Sequence, residues 1–482
     1  MNINTNENYV PPMQFIAGRW RTGGDGVVGM VVNPANDEVL AEIPRASKQD
    51  LDDALAAAQN AFSLWRMKSA HERAAVLRRA AALLRERVSS IAMRMTLEQG
   101  KTLPEARLEV ELSAETFDWY AAEALRVHGR VMPSRVRGAR QMVLPQPLGP
   151  VAAFTPWNFP ALLPARKIAP ALAAGCTMVM KPSEETPSSA LALAEALADA
   201  GLPAGVLNMV LGVPAEVSAH LIASPAIRKV TFTGSTEVGR TLARLAAEGV
   251  KPCTLELGGH APVLIFDDAD LERTVATCIT GKTRNAGQVC TSPTRFLVQA
   301  GVYDRFVAAF SQAMNRLVIG DGMAADSQMG PLANRRRLKA VEDMVNGAVG
   351  AGAKVLAGGE RQGSSGSFFR PTVLVGTPPD ATVMRNEPFG PLALVDCFDS
   401  LEEGLALANN TPYGLAAYAF TRSAETAVAV SEGLEAGGIG INSFAVSHIE
   451  APFGGLKDSG YGHEGGSEGL EAFMHQKYVH HA

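Results

Sequence analysis

The stretch VAAFTPWNFP, residues 151–160, is an apolar run that ends in a turn rich in Pro, which predicts a buried strand. Three runs of the same kind follow it: CTMVMKPS at 176–183, VLNMVLG at 206–212 and IRKVTFTGS at 227–235. Helical stretches such as SSALALAEALADAG at 188–201 lie between them. The repetition of strand, turn and helix predicts βαβ units and a mostly parallel sheet, in which ligands bind at the carboxyl ends of the strands.

The region before this sheet is predicted to be mainly helical. Ala, Leu and Arg recur at three- and four-residue steps from Lys48 to Gly100, with Ser47 as the predicted N-cap and Gly100 as the predicted C-cap. A further amphipathic helix is predicted from Glu105 to His128. The segment GRVMPSRVRGARQMV, 129–143, mixes Pro, Gly and Arg with short β-like runs, which predicts a hairpin at the surface.

A second alternating region begins near Ala261. It contains the apolar run PVLIF, a helix predicted over 270–287 and a long helix predicted from Val302 to Leu317. The boundary between the two regions is placed near Gly258, in the turn LGGHAP. The chain is therefore expected to hold two α/β domains.

Composition and charge exclude several classes of protein. A chain of 482 residues with 47% hydrophobic and 19% charged residues is expected to fold into two or three domains. A net charge of −5 gives no reason to expect nucleic acid or a membrane surface as partner. The five cysteines follow no metal-binding spacing, so neither a metal nor disulfides are expected. No secretory signal or transmembrane run is visible, and a cytoplasmic protein is expected.

Six short motifs follow one another along the chain: TPWNFP, KPSEETP, FTGSTEVG, LELGGHAP, NAGQVC and NEPFGP. In this order and rough spacing they resemble the NAD(P)-dependent aldehyde dehydrogenase superfamily over nearly the whole chain, and most closely its succinate-semialdehyde and α-ketoglutarate-semialdehyde dehydrogenases. The resemblance implies an α/β fold with a Rossmann-type NAD-binding domain, an α/β catalytic domain and a small β oligomerisation element, in a homodimer or homotetramer. The domains would comprise 1–125 with 147–257, then 258–455, and finally 126–146 with 456–482.

Cys290 in RNAGQVCTSPTRF is the predicted nucleophile. Its neighbours are small or polar, so core packing, the usual role of a lone Cys, explains it poorly. The resemblance implies that this thiol attacks the aldehyde carbon, and that Asn158 and the Cys290 N–H stabilise the oxyanion. Without the family resemblance, Asn158 would be interpreted as an ordinary turn residue near proline.

Glu256 in LELGG is a carboxylate within an apolar segment. Burial would raise its pKa, as suits a general base, although pairing with Lys or Arg is the commoner fate of such a residue. The resemblance implies that Glu256 activates the water that hydrolyses the thioester.

Lys181 and Glu184 lie in KPSE, at the end of a predicted strand. The resemblance places both on the adenine-side ribose, and it also places Lys181 among the catalytic residues. A carboxylate there attracts a free 2′-hydroxyl and repels a 2′-phosphate, so NAD is expected to be preferred, with NADP as the second option.

Gly234 and Ser235 lie at a strand-to-helix turn, where backbone N–H groups suit a pyrophosphate. The resemblance places Glu387 and Phe389 at the nicotinamide ribose and ring. The full set of predicted cofactor residues is Thr155, Pro156, Trp157, Lys181, Ser183, Glu184, Gly212, Gly234, Ser235, Val238, Leu257, Glu387 and Phe389.

Arg166, Arg284 and Ser447 match positions at which succinate-semialdehyde dehydrogenases hold the distal carboxylate of the substrate. Arginine suits this task because its planar fork binds a carboxylate bidentately; taken alone, each Arg would be an ordinary ion-pair partner. Ser292, also assigned to the substrate site, replaces the second Cys of a Cys-x-Cys pair, so the redox disulfide of those relatives cannot form.

The expected reaction is oxidation of an ω-carboxylated semialdehyde, either succinate semialdehyde or α-ketoglutarate semialdehyde, to the dicarboxylic acid. Three alternatives stay open. The first is a dehydrogenase for another aliphatic or aromatic aldehyde. The second is a cysteine hydrolase or thioesterase that pairs Cys290 with a histidine. The third is a binding protein derived from a dehydrogenase.

Overall fold

A computed structural model describes residues 9–482 and contains two large sheets, each flanked by helices. The strands are β1 Gln14–Ile16, β2 Arg19–Arg21, β3 Val27–Val32, β4 Val39–Pro44, β5 Arg130–Met132, β6 Arg140–Pro147, β7 Val151–Phe154, β8 Met178–Lys181, β9 Leu207–Met209, β10 Lys229–Thr233, β11 Cys253–Glu256, β12 Ala261–Ile265, β13 Pro293–Gln299, β14 Lys354–Ala357, β15 Thr372–Val375, β16 Leu392–Phe398, β17 Tyr413–Gly414, β18 Ala416–Phe420, β19 Gly438–Ile441, β20 Leu456–Lys457, β21 Gly460–Tyr461 and β22 Met474–His481.

Helices connect most of these strands, and two short 3-10 turns occur at Ala124–Arg126 and Arg284–Gly287. The helices are α1 Lys48–Trp65, α2 Ala70–Glu86, α3 Val88–Gln99, α4 Leu103–Glu123, α5 Leu162–Ala174, α6 Pro187–Asp199, α7 Pro214–Ala223, α8 Thr236–Glu248, α9 Leu271–Thr283, α10 Tyr303–Asn315, α11 Arg335–Gly350, α12 Thr382–Arg385, α13 Leu401–Asn409, α14 Ala424–Gly433 and α15 Gly466–Glu471.

The first sheet has eight strands in the order β2-β1-β9-β8-β7-β10-β11-β21. Its five central strands are parallel, as the sequence predicts, and antiparallel strands close both edges. Side chains alternate across β7, where Val151 and Ala153 join one hydrophobic core while Ala152 and Phe154 join the core on the other face. Because helices cover both faces, every residue of the strand is apolar.

The helical region before the sheet has the predicted caps. Ser47 begins α1 with a capping box, and Gly100 ends α3 in the left-handed conformation at φ 95°. The region divides into three helices, α1 to α3. Helix α4 ends at Glu123, five residues before the predicted end at His128, because the chain continues there into a 3-10 turn.

The second sheet has seven strands in the order β14-β15-β16-β13-β12-β18-β19, parallel except for the edge strand β14. The prediction of a helix over 270–287 was wrong at its end, since α9 stops at Thr283. Asn285 and Ala286 adopt left-handed backbone at φ 50° and 52°, which no helix can contain. The chain thus turns sharply just before Cys290.

The third sheet joins the predicted surface hairpin to the end of the chain, in the order β22-β6-β5. Strand β22 pairs with β6 over eight positions, from Met474 opposite Pro147 to His481 opposite Arg140. Of the segment 456–482, only β22 lies in this sheet, whereas β20 pairs with β17 and β21 pairs with β11. The domain boundaries and the role of this sheet in oligomerisation stay predictions.

Within residues 9–482, no helix is both long and apolar enough to cross a membrane. In the same part of the chain, no group of three or more His, Cys, Asp or Glu side chains is arranged to hold a metal ion.

Candidate active site

The loop that carries Cys290 is held in an unusual backbone conformation. Gly287 continues the left-handed turn at φ 70°, and a Cβ atom there would collide with the carbonyl oxygen of Gly390, so only glycine fits. The buried Gln288 side chain accepts a hydrogen bond from Ala333 N–H at 2.9 Å. Cys290 itself is half-buried at the end of this loop. The backbone that carries the thiol is therefore held in a fixed conformation.

Asn158 lies beside this loop, in the turn that follows β7. Its side-chain amide donates to the carbonyl of Gln288 at 3.0 Å, and its Oδ1 is buried without a partner. The NH₂ group has two hydrogens, so one donor is left over after the bond to Gln288. The amide predicted to hold an oxyanion thus contacts the segment that carries the predicted nucleophile.

Glu256 is the last residue of β11 and is only 2% exposed. Neither carboxylate oxygen has a hydrogen-bond partner. Burial, followed by the charge of Glu464, holds the pKa of Glu256 well above its ordinary value, while Lys167 and Arg166 act in the opposite direction. A buried carboxylate without partners has the raised proton affinity that suits a general base, as the sequence predicts.

The turn after β11 packs against Cys290, since a Cβ atom at Gly259 would collide with the Cys290 carbonyl oxygen, and this brings the Glu256 end of the strand to the thiol loop. Burial, together with the charges of Glu387 and Glu256, raises the pKa of the thiol to about 12, while Arg166 acts in the opposite direction. The thiol is therefore protonated at neutral pH and needs a base to become a thiolate. The nearby carboxyl of Glu256 can supply that base.

A cleft of about 1080 Å³ opens at the carboxyl ends of the first sheet. Its walls reach from the turn after β7 across to the N-terminus of α8, where Ser235 is the N-cap. This is the place where parallel sheets bind nucleotides, and a helix N-terminus there favours phosphate. The predicted cofactor residues that line it are Thr155, Pro156, Trp157, Lys181, Ser183, Glu184, Gly234, Ser235 and Val238.

Four predicted cofactor residues lie outside the walls of this cleft. Phe389 contacts Trp157, a wall residue, edge to face with ring centroids 5.4 Å apart. Glu387 accepts a hydrogen bond from Gly259 N–H at 3.2 Å, and burial raises the pKa of this carboxyl to about 7. Gly212 and Leu257 are buried in packing contacts with Val217 and Gly239 respectively. Phe389 therefore borders the cleft at Trp157, the charge of Glu387 acts on Cys290, and Gly212 and Leu257 lie behind the walls.

Lys181 and Glu184 form an ion pair of 2.8 Å inside the cleft. Burial lowers the pKa of Lys181, and the charge of Glu184 raises it. The Lys181 ammonium also donates to the carbonyl of Pro182 at 3.1 Å. Both side chains are thus held at the end of β8, where a ribose would be bound.

Part of the cleft was not foreseen from the sequence. Strand β3 contributes Val28 and Met30, and the start of α11 contributes Asn334, Arg335 and Arg336. The basic run NRRR at 334–337 was the sequence signal that could have indicated these residues. No local pattern, however, indicates that a helix packed on the second sheet also contacts the cleft of the first sheet. Arg337 was missed too. Its Nε and Nη2 are buried without partners, and burial lowers its pKa while the charge of Glu387 acts in the opposite direction.

Arg166 is a predicted substrate residue whose charge reaches the reactive groups. It is 5% exposed, its charge acts on both Cys290 and Glu256, and its Nε is buried without a partner. Nη2 donates to the carbonyl of Ser447, and the guanidinium lies over the ring of Phe453 at 5.3 Å. Arg166 and Ser447 are therefore brought together at the site.

The other two predicted substrate residues have different environments. Arg284 is exposed, with its guanidinium 5.1 Å from the ring centroid of Phe159. Ser292 is 4% exposed, and its hydroxyl accepts a hydrogen bond from the buried Lys282 at 3.0 Å. That bond leaves the Ser292 O–H free to donate to a substrate oxygen. A small apolar cluster of Phe159, Leu162, Leu163 and Val289 lies between the turn after β7 and the thiol loop.

A sequence model described as "Aldehyde dehydrogenase family" matches residues 20–479. The chain belongs to the aldehyde dehydrogenase family. The 4-(hydroxymethyl)benzenesulfonate dehydrogenase of Comamonas testosteroni is 52% identical to it over 98% of each chain. The NADP-dependent succinate-semialdehyde dehydrogenase of Escherichia coli strain K12 is 43% identical over 99% of each. The crystal structure of Staphylococcus aureus betaine aldehyde dehydrogenase in complex with NAD⁺ superposes with a TM-score of 0.96 at 34% identity, over 99% of this chain and 97% of that one.

These matches confirm the aldehyde dehydrogenase fold and the oxidoreductase class that the motifs predict. Aldehyde dehydrogenases oxidise small aldehydes with NAD or NADP, and this chain is an enzyme of that kind. The two relatives differ in the substrates that their names state.

Proposed function

We propose that this aldehyde dehydrogenase oxidises an aldehyde that carries a distal carboxylate, namely succinate semialdehyde or α-ketoglutarate semialdehyde, with NAD as the preferred cofactor. The observation that carries the proposal is the buried guanidinium of Arg166, which is held by the Ser447 carbonyl and the ring of Phe453 and keeps an unpartnered Nε donor. A buried donor without a partner is costly, and a carboxylate would satisfy it.

In the proposed reaction, Cys290 attacks the aldehyde carbon after its proton passes to Glu256. The resulting oxyanion accepts hydrogen bonds from the free Asn158 N–H and from the backbone N–H of Cys290. Bound NAD supplies the hydride acceptor, and a thioester on Cys290 is left. Glu256 then releases this proton to solvent and removes a proton from water, whose oxygen attacks the thioester carbon. As the carboxylic acid is released, the Cys290 sulfur takes the proton from Glu256 and the thiol is restored.

Features of the cleft support NAD as the preferred cofactor. Lys181 and Glu184 lie where the adenine ribose would be held, and Ser235 begins the helix that would face the pyrophosphate. The Glu184 carboxylate would repel a 2′-phosphate. The E. coli relative is named as an NADP enzyme, so the choice is decided by comparing kcat/KM for NAD and NADP on the purified protein.

A second candidate substrate is an aromatic aldehyde with an anionic group at its far end. The 52% identical relative is named for a benzenesulfonate substrate. The rings of Phe159 and Phe453, which lie under Arg284 and Arg166, would suit an arene. A sulfonate offers the same oxygen acceptors as a carboxylate, so Arg166 would serve both substrates.

The hydrolase alternative is disfavoured by the histidine nearest in sequence to the motif residues. His260 is buried, and its two ring nitrogens are engaged by the Thr294 hydroxyl at 2.7 Å and the Val383 carbonyl at 3.1 Å. An imidazole with both nitrogens occupied cannot serve Cys290 as a base.

We also expect a homodimer or homotetramer assembled through the sheet of β5, β6 and β22. Val131 on the short edge strand β5 and Tyr478 on β22 are large exposed apolar side chains. Light scattering on the intact protein and on Val131→Asp tests this assembly, because a charge at a pairing edge opposes strand addition. A wild-type monomer would contradict it.

The substrate proposal is tested by the appearance of NADH at 340 nm. The panel contains succinic, glutaric and α-ketoglutaric semialdehydes, 4-carboxybenzaldehyde and 4-sulfobenzaldehyde, with butanal and benzaldehyde as uncharged controls. We expect the highest kcat/KM for one of the aliphatic semialdehydes. A higher value for the anionic arenes selects the second candidate, and a preference for the uncharged aldehydes overturns both.

A further inference from the structure

A buried ion pair holds the turn that carries Asn158. Its two residues are distant in sequence from Cys290 and Glu256. Lys101 and Glu109 contact each other with side chains that are both 1% exposed. The Lys101 ammonium also donates to the carbonyl of Asn158 at 2.8 Å. Glu109 Oε1 accepts from the N–H groups of Ala161 at 2.8 Å and Leu162 at 3.1 Å. The pair thus holds both ends of this short turn.

The bonds to Ala161 and Leu162 also fix the helix that follows. Helix α5 has no capping side chain of its own, so the Glu109 carboxylate takes the place of an N-cap for its first free N–H groups. A negative charge at a helix N-terminus is stabilising. Helix α5 carries Arg166, so its placement affects the predicted substrate anchor as well.

The same short segment reaches the thiol loop. The Lys101 N–H donates to Oε1 of Gln99 at 2.9 Å, and Gln99 Nε2 donates to Oδ1 of Asn285 at 2.9 Å. Asn285 Nδ2 then donates at 2.8 Å to the Asn158 carbonyl, the acceptor that Lys101 also uses. One hydrogen-bonded network therefore connects the ion pair, the oxyanion turn and the loop before Cys290.

We propose that Lys101 and Glu109 are positioning residues that set the distance between the Asn158 amide and Cys290 for formation of the thiohemiacetal. Neither side chain touches the reacting atoms. Their effect passes through the Asn158 carbonyl and the first turn of α5, and a misplaced oxyanion donor loses most of its value to catalysis. This inference rests on the proposed role of Asn158 as an oxyanion donor.

A double-mutant cycle with Asn158→Ala tests the inference on the full-length enzyme. The substitutions Lys101→Met and Glu109→Gln are made together, so that no buried charge is left unpaired and the glutamine oxygen can still accept from α5. Stopped-flow NADH bursts with saturating propanal and NAD report the acylation rate. Propanal has no distal anion, so a shift of Arg166 affects it little.

We expect Asn158→Ala to slow the burst about 100-fold and K101M/E109Q to slow it about 10-fold. In the Asn158→Ala background, the ion-pair substitutions should change the burst by less than about twofold, since the donor they position is gone. The Kd for NAD should stay within about twofold of wild type. As a control, R94M/E195Q removes an ion pair between α3 and α6 and should leave the burst unchanged.

Each result decides between the two claims. A wild-type burst in Asn158→Ala refutes the proposed oxyanion role itself. If Asn158→Ala slows the burst but K101M/E109Q leaves it at the wild-type rate, the positioning role alone is refuted. The positioning role is also refuted if K101M/E109Q slows the burst by the same factor in the wild-type and Asn158→Ala backgrounds. If K101M/E109Q does not fold, Glu109→Gln alone is measured in the same cycle and judged by the same criteria.

Discussion

Replacement of Arg166 by lysine separates the effect of its positive charge from the effect of its hydrogen bonds to the substrate. Lysine keeps the positive charge that lowers the pKa of Cys290 and Glu256, but it loses the planar fork and the buried Nε donor. A hydrogen bond to a charged group contributes about 1.5–3 kcal/mol. Loss of one such bond in the transition state therefore lowers kcat/KM for a semialdehyde by about 10- to 150-fold.

The assay compares Arg166→Lys and Arg166→Met with wild type, on succinic semialdehyde and on propanal. Arg166→Lys should leave kcat/KM for propanal within about threefold of wild type, because the charge is retained. In Arg166→Met the pKa of Cys290 should rise, since the cation that favours the thiolate is gone, and activity with propanal should move to higher pH. Equal losses on both aldehydes in Arg166→Lys would refute a carboxylate anchor.

Three further predictions concern the carboxylates of Glu256, Glu184 and Glu98. Glu256→Gln should slow thioester hydrolysis, giving an NADH burst of about one per active site and then little turnover; steady turnover without a burst would contradict this role. Glu184→Gln should raise the ratio of kcat/KM for NADP to that for NAD about 10-fold, and an unchanged ratio would place the 2′-phosphate elsewhere. Burial raises the pKa of Glu98 from 4.5 to about 7, so the native state binds the proton more tightly than the unfolded chain. Its stability contribution is full below pH 4.5 and is lost as pH rises through about 7; Glu98→Gln should cancel a loss of about 3 kcal/mol across this window, measured by urea unfolding at pH 5 and pH 8.

Local patterns in the sequence were sufficient for the parts of the fold that depend on local physics. The caps at Ser47 and Gly100 follow from hydrogen bonds within one helical turn. The parallel order of the central strands follows from apolar runs that alternate with helices. The predicted rise in the pKa of Glu256 required only that its segment be buried.

Other features depend on contacts between distant segments and leave no local signal. The left-handed turn at Asn285 is held by Gln99 and Asn158, and its motif letters alone resemble the continuation of a helix. Likewise, nothing near Arg336 indicates that it pairs with Glu185 at the rim of the cofactor cleft. The site residues came from family resemblance, which carries such long-range information implicitly.

The short strand β21 has a consequence for biosynthesis. Gly460 pairs with Glu256 and Tyr461 with Leu255, so the last strand of the first sheet is supplied by a segment that is synthesised long after β11. Until the ribosome has delivered these residues, β11 has an open edge, and the carboxylate of Glu256 lies at that edge. A nascent or truncated chain that lacks them therefore exposes the edge of β11, with Glu256 on it, to chaperones and to other chains.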